Sequence, residues 1–147
     1  MGVGRCPPLI LKGEITMIDA VNVASQSVAV NSPVLFGATR IKTGCSVRHE
    51  QGSGRFVLLK PGIYRVSFNA SLSAAAATTA VLNITQDGEQ IAGANITSGV
   101  DPTSIESVSV TTLLRVYCSD VSSVSITNIG TTAINVAQAN FVIERVC

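Results

Sequence analysis

The longest regular pattern in the chain is an alternation of apolar and polar residues over positions 62–74. The apolar positions are Tyr64, Val66, Phe68, Ala70, Leu72 and Ala74. A period of two belongs to β-strands, because successive side chains there point to opposite faces of a sheet. The pattern therefore predicts one long strand, preceded by a Pro61-Gly62 turn, with one buried face and one polar face.

A second long strand is predicted at residues 105–118. Its core-facing positions are Val108, Val110, Thr112, Leu114, Val116 and Cys118. Between the two long strands, Asp87-Gly88 indicates a hairpin with a primed turn, the type that matches the twist of paired strands. Shorter extended pieces occupy the remaining chain. We expect a break at Ser25-Gln26-Ser27, an extended piece over 34–41 and a loop over 98–103.

No segment carries an apolar stripe at helical spacing, and Ala74–Ala77 is too short to nucleate a helix between two strands. Eight to ten short strands at regular intervals are typical of an antiparallel sandwich or barrel. We therefore predict an all-β domain over residues 15–147, preceded by an N-terminal arm over residues 1–14. A chain of 147 residues is long enough for one complete core.

The composition indicates how that core and surface are built. Aromatic residues make up 4% and Trp is absent, so Val, Ile, Leu and Ala must fill most of the interior. Charged residues make up 13%, about half of the usual quarter. Such a weakly charged surface suggests that partner molecules cover part of it.

Charge is distributed unevenly along the chain. Residues 1–65 contain eight basic and three acidic side chains, whereas residues 66–147 contain two basic and six acidic ones. Interleaving of the two halves in a sandwich would give a mixed surface. The alternative is a basic patch that docks on an acidic partner, with Arg40, Lys42, Arg48 and Arg55 as its candidates. No basic helix or interleaved aromatic residues indicate nucleic-acid binding.

The N-terminal sequence and the cysteines bear on the compartment. The apolar run at 9–11 is too short for a secretion signal, and no stretch approaches a membrane span. We therefore expect folding in a reducing cytosol, with Cys6, Cys45, Cys118 and Cys147 as buried free thiols. The alternative is bridging after release, with Cys6 and Cys147 the most exposed. Their wide spacing does not favour a zinc site.

Few residues suggest chemistry. The single histidine, His49, lacks a nucleophile motif nearby, so we expect a solvated or interface residue rather than a catalytic one. Asp87, Glu89 and Asp101 lie in expected loops and offer the oxygen ligands that calcium prefers, but without EF-hand spacing; solvated turns are the alternative. We predict no catalytic residues, no cofactor and no metal site.

The order of these elements resembles the tumour necrosis factor and complement globular-head family. The resemblance covers about residues 28–146 and rests on the Phe56 strand, the segment Pro61–Phe68, the Asp87-Gly88 hairpin, the Leu113–Val116 segment and the final Phe141–Glu144 strand. It implies a ten-stranded jelly roll and a homotrimer whose inner sheet faces the three-fold axis. In its Ala, Ser and Thr content, the chain is similar to bacterial and bacteriophage members.

Outward positions of three strands are the candidates for such a trimer interface. Leu113 and Tyr117 are unusual there, because a solvent-facing sheet surface is normally polar. The full candidate set is Ser67, Asn69, Ser71, Leu113, Arg115, Tyr117, Gln138, Asn140 and Val142.

These features together predict a non-enzymatic homotrimer in a bacteriophage virion, as a capsid-decoration, head-fibre or tail-associated protein. Its partners would be two further copies of itself and a capsid or tail protein, with no nucleic acid and no membrane. It would be assembled in the host cytoplasm. The alternative is a ligand-binding module on a bacterial cell or spore surface. A sugar-modifying jelly-roll enzyme comes third, because clustered carboxylates or histidines are missing from the sequence.

Overall fold

The computed structural model of the chain describes residues 16–117 and 121–146. Eleven strands and no helix are found in these residues. The strands are β1 (Met17–Asn22), β2 (Gln26–Val28), β3 (Ala38–Thr43), β4 (Val47–His49), β5 (Phe56–Leu58), β6 (Gly62–Ser73), β7 (Thr78–Gln86), β8 (Glu89–Val100), β9 (Glu106–Val116), β10 (Ser122–Asn128) and β11 (Ile134–Arg145). No helix of the described ranges could cross a membrane.

The strands form two antiparallel sheets packed face to face. Sheet A has the order β3-β1-β11-β6-β9, with the short β2 also paired to β11. Sheet B has the order β4-β5-β10-β7-β8. Consecutive strands repeatedly change sheets, as in a jelly roll, and the all-β antiparallel sandwich predicted from the sequence is confirmed. Its eleven strands in the described residues exceed the expected eight to ten by one.

The inward faces of the two sheets enclose one hydrophobic core. All four phenylalanines are fully buried there. Phe36 stacks on Phe141 with a centroid distance of 5.6 Å, and Phe68 meets Phe141 edge to face at 6.2 Å. The apolar residues of the 62–74 pattern are all buried, so the predicted inward face is confirmed.

One end of this core contains a buried hydroxyl. Tyr64 is fully buried and donates a hydrogen bond to the Lys60 carbonyl at 2.6 Å. Arg145 donates to the Pro61 carbonyl through Nε at 3.0 Å and Nη2 at 2.7 Å. Burial raises the pKa of Tyr64, because removal from water disfavours the phenolate; the Arg145 charge partly opposes that shift. The phenol therefore remains a neutral hydrogen-bond donor.

Most strand boundaries differ slightly from those predicted, whereas the turn at Asp87-Gly88 agrees. Asp87 and Gly88 both have positive φ, at 53° and 84°, so the predicted primed hairpin turn is confirmed. The break expected at Ser25-Gln26-Ser27 is present but lies at residues 23–25, because Gln26–Val28 pairs with β11 as β2. The loop expected over 98–103 begins later, since β8 remains paired with β7 up to Val100. The extended piece expected at residue 34 becomes a strand only at Ala38.

A β-bulge changes the phase of the last strand. Pairing of β11 with β6 shifts between Ala137 and Asn140, and Gln138 has a positive φ of 52°. Val136 is buried before the bulge and Ala139 after it, so the buried positions change from even to odd numbers. An extra residue in one strand has this effect, because the side-chain period is two. The bulge sets which residues of β11 reach the outer surface.

The proposed arm at residues 1–14 lies outside the described residues, as do Cys6, Cys118 and Cys147. Cys45 is free and exposed, which corrects the expectation that it is buried. Cys45 follows Gly44, whose φ is 75°, in the turn by which the chain passes from β3 in sheet A to β4 in sheet B. The Cys45 side chain therefore points to solvent, whereas that of the following Ser46 is buried.

Candidate functional site

The outward side chains of β1, β11, β6 and β9 form one continuous surface, which we call the open face of sheet A. Ser67 of β6 lies between Val142 of β11 and Thr111 of β9. One row further along, Asn69 of β6 pairs with Asn140 of β11. The structure therefore brings the candidates from three distant segments onto one side of one sheet.

Gln138 and Tyr117 stand slightly apart from this ladder. Gln138 lies in the bulge of β11, where its backbone N–H donates to the Val23 carbonyl at 3.1 Å instead of to β6. Tyr117 follows the last residue of β9. Both side chains are exposed. The other seven candidates occupy regular strand positions.

Small polar side chains bond across the strands of the open face. The hydroxyls of Ser67 and Thr111 lie 3.1 Å apart, and the Asn69 amide donates to the Asn140 Oδ1 at 3.4 Å. Such cross-strand pairs hold side chains close to the sheet. The centre of the face therefore carries short side chains whose polar groups are partly bonded within the chain.

Apolar residues are exposed at one edge of the same face. Leu113 is 58% exposed and Tyr117 is 48% exposed, although they flank an arginine on the outermost strand. The guanidinium carbon of Arg115 lies 5.6 Å from the centroid of the Tyr117 ring, a distance typical of a cation–π contact. Because both side chains are already about half covered, burying their exposed parts against another molecule would contribute about 1–1.5 kcal/mol each.

Charged groups on this face were missed in the sequence. Asp19 of β1 forms an ion pair with Arg40 and accepts a short hydrogen bond from Asn140. Arg65 pairs with Glu144 at 2.7 Å across β6 and β11. Their partners are 21 to 121 residues apart in the chain, so no local pattern links them. Recognising them required the register of β1, β11 and β6.

The four basic docking candidates lie in two places. Arg40 and Lys42 belong to β3 at the edge of sheet A, and Arg40 is bound to Asp19 with an N–O distance of 2.5 Å. Arg48 and Arg55 lie at the β4–β5 edge of sheet B, where both line one surface depression. The expected cluster is therefore divided between the two sheets. Lys42 and the ion-paired Arg40 lie on sheet A, and Arg48 and Arg55 lie on sheet B.

His49 is half-buried rather than solvated, which corrects one of the two roles that the sequence suggested; an interface role stays a prediction. Its ring stacks on Phe56 with a centroid distance of 4.0 Å and an interplanar angle of 8°. Its Nε2 lies 2.7 Å from the Ser53 carbonyl oxygen, which requires Nε2 to be the protonated nitrogen. Nδ1 is buried without a hydrogen-bond partner among the described residues. His49 therefore has a packing role beneath the β4–β5 turn.

The three loop carboxylates considered for calcium do not converge. Asp87 bonds the Ser122 hydroxyl and the Ser123 backbone N–H, at the opposite end of β8 from Asp101. One oxygen of Asp101 accepts four hydrogen bonds from Thr103 and Ser104, which lower the pKa of this carboxyl. Within residues 16–117 and 121–146, no group of three His, Cys, Asp or Glu could hold a metal ion.

Comparisons with known proteins were made for the sequence and for the fold. No family model matches the sequence, and no curated protein does. Solved structures match over nearly the whole chain. Murine APRIL at pH 5.0 has a TM-score of 0.66 and 11% identity, covering 90% of this chain and 100% of its own.

Two other solved structures give a similar result. The globular domain of zebrafish complement 1qA has a TM-score of 0.61 and 14% identity, covering 88% of this chain and 94% of its own. Eiger TNF from S. frugiperda has a TM-score of 0.62 and 8% identity, covering 91% and 94%. The fold is a TNF-like jelly roll. At these identities, the likeness establishes the fold that the resemblance implied and does not transfer a function.

Proposed function

We propose that this chain is a non-enzymatic structural protein that forms a homotrimer through the open face of sheet A. The observation that supports this proposal is the combination of a centre of small polar residues with exposed Leu113 and Tyr117 at the edge. In a trimer, three-fold symmetry would repeat the burial of Leu113 and Tyr117 at three equivalent interfaces. The resemblance implies a homotrimer whose inner sheet faces the three-fold axis, and we propose that sheet A takes this position.

The non-enzymatic part of the proposal is supported by how the reactive side chains are used. The single histidine stacks on Phe56 and bonds a backbone carbonyl. Asp87 and Asp101 fasten turns through hydrogen bonds to Ser and Thr groups. These groups therefore have structural partners, and the loops within residues 16–117 and 121–146 present no convergent set for acid–base chemistry.

A paired substitution tests the interface. Leu113→Asp replaces an exposed apolar side chain of the open face by a charged one, and we expect it to yield monomers because a carboxylate would be desolvated at every interface. Thr79→Asp places the same charge at an exposed position of β7 in sheet B, and we expect it to leave the oligomer intact. Size-exclusion chromatography with light scattering gives both masses. Retention of the oligomer in Leu113→Asp would contradict the proposed interface.

Within this structural role, we propose that the trimer is a component of a bacteriophage virion, as a capsid-decoration, head-fibre or tail-associated protein. A charged content of 13% and a surface rich in Ser, Thr and Asn suit a protein that is largely covered in an assembly. The free, exposed thiol of Cys45 suits assembly in a reducing host cytoplasm. The alternative role is a ligand-binding module on a bacterial cell or spore surface.

Analysis of infected and uninfected cultures separates the two roles. If the virion proposal is correct, purified particles contain the chain in multiples of three, and cells without phage lack it on their surface. Quantitative mass spectrometry of purified particles, with protease shaving of uninfected cells as the control, makes the comparison. Finding the chain on uninfected cells and not in particles would favour the surface module.

A further inference from the structure

The arginines of the described residues fall into two groups, those with a partner within the chain and those without one. Arg40 and Arg65 pair with carboxylates, Arg145 bonds a backbone carbonyl, and Arg115 lies against the Tyr117 ring. The guanidinium groups of Arg48 and Arg55 have no such partner within residues 16–117 and 121–146. These two arginines therefore keep their full capacity to bind an external anion.

Arg48 and Arg55 line the same surface depression. Its volume is about 230 Å³, and Glu50, Ser53 and Val57 complete its lining. Val57 lies opposite Arg48 in the β4–β5 ladder and is half-buried, so it offers a small apolar surface between the charges. With two cations and one anion, the lining has a net charge of +1.

The turn that carries Arg55 is held in place from several sides. The Phe36 N–H donates to the Ser53 carbonyl at 3.2 Å, and the Phe36 carbonyl accepts a hydrogen bond from the Gly52 N–H at 2.8 Å. The same Ser53 carbonyl receives the His49 Nε2–H. A Cβ on Gly54 would lie 2.6 Å from the Val34 carbonyl oxygen, so the turn packs tightly on its neighbour. Such support reduces the ordering cost of binding.

We propose that the depression between Arg48 and Arg55 binds one carboxylate of an acidic segment in a partner protein. A planar guanidinium matches a planar carboxylate through parallel N–H donors. A single carboxylate neutralises the net charge of +1, whereas a phosphate dianion beside Glu50 would leave an excess of negative charge. Val57 is placed to contact the methylene groups of an acidic side chain.

The exposure of the site favours a carboxylate carried by a protein over a free organic acid. Arg48, Glu50 and Arg55 are all exposed, whereas pockets for small molecules usually bury 70–90% of their ligand. A free acid here would remain largely in water. A protein partner supplies further contacts around the depression. The site lies on sheet B, away from the open face of sheet A, so it does not depend on the proposed trimer.

Titration with a short peptide tests this site. The probe is an acetylated peptide of four glutamates between glycines, and the control is its glutamine counterpart. We expect Arg48→Gln and Arg55→Gln each to weaken glutamate-peptide binding at least tenfold by calorimetry at low salt. Lys42→Gln removes the same charge from an exposed position on sheet A, and we expect a change of less than twofold. Added salt should weaken binding to the unmodified protein, because exposed charge pairs are screened.

Several results would overturn this proposal. Equal weakening by Lys42→Gln would indicate diffuse attraction rather than a site, as would equal binding of the glutamine peptide. More effective competition by inorganic phosphate than by acetate would show that the site prefers a tetrahedral anion. Melting curves and sedimentation of the arginine variants, expected to match the parent, separate loss of the site from loss of fold or oligomer. A monomer that still binds the glutamate peptide would contradict the trimer and leave this site intact.

Discussion

The outer surfaces of the two sheets differ in how far their polar residues are buried. On sheet B, Asn83 and Thr85 are buried although they alternate with the core residues of β7. Four residues of β8, 91–94, lie opposite the single residue Ile84, and this widened strand approaches Asn83. On sheet A, the corresponding positions Asn69 and Arg65 are exposed. Sheet B thus covers part of its own outer surface, whereas the outer surface of sheet A stays exposed at the corresponding positions.

Hydrogen bonding shows the same contrast. The Asn83 amide accepts from the Ile91 N–H and donates to the Ile91 carbonyl, each at 3.0 Å, and it also donates to the Asn95 side chain. On the open face, the Ser67–Thr111 and Asn69–Asn140 bonds join one exposed side chain to another and leave the backbone of the neighbouring strand untouched. Polar residues therefore have two uses in this fold. On sheet B they fasten the chain to itself, and on sheet A they leave a surface that fits another molecule.

The largest effect is expected where the core, rather than either outer surface, is changed. Phe68→Ala should lower the free energy of unfolding by about 3–5 kcal/mol, because a fully buried ring in the aromatic cluster would leave a cavity. Asn69→Ala, one residue away on the open face, should cost the folded monomer less than about 1 kcal/mol. Urea unfolding of both variants measures the difference. Equal losses would mean that the two faces of β6 are wrongly assigned.

A smaller loss is expected for the clamp on sheet B. Asn83→Ala removes both bonds to Ile91 and should cost about 1–3 kcal/mol, because backbone groups lose their partners near a buried position. Asn69→Ala is again the matched control, since it removes one long hydrogen bond from an exposed amide. Hydrogen exchange at the Ile91 amide provides a local measurement. Unchanged protection of this amide in Asn83→Ala would show that Asn83 does not hold the widened part of β8.

The smallest effect concerns the turn between the sheets, where β8 of sheet B leads to β9 of sheet A. Asp101 has a lowered pKa, so its contribution to stability is present above the unfolded-state pKa and is lost as pH falls through the folded-state value. Asp101→Asn should therefore destabilise the turn at neutral pH, and the difference from the parent should narrow below about pH 4. Urea unfolding across this pH range measures the effect. A difference that does not change with pH would show that charge on Asp101 is unimportant.

Much of the fold could be predicted because strand periodicity is local information. The alternation over 62–74 identified the buried residues of β6, and the Asp87-Gly88 pair identified the type of the turn between β7 and β8. Irregularities were less accessible. The Gln138 bulge and the three extra residues of β8 depend on how strands meet, and nothing in the local composition distinguishes them from regular strand.

The open face was predictable for the same reason, whereas its charged pairs were not. Ser67, Asn69 and Leu113 occupy outward positions that follow from a period of two. Asp19 with Arg40 and Arg65 with Glu144 depend on which strands are neighbours. The basic candidates were grouped by sequence proximity, but β3 and β4 belong to different sheets, which separated Arg40 from Arg48.

Sedimentation equilibrium of the unmodified chain at micromolar concentration tests the central proposal most directly. If the open face of sheet A joins three copies, the measured mass is three times the chain mass of 15.2 kDa. The mass should remain constant on moderate dilution, because each interface buries the apolar side chains of Leu113 and Tyr117. A single species of 15.2 kDa would contradict the proposal that this face is an interface between copies.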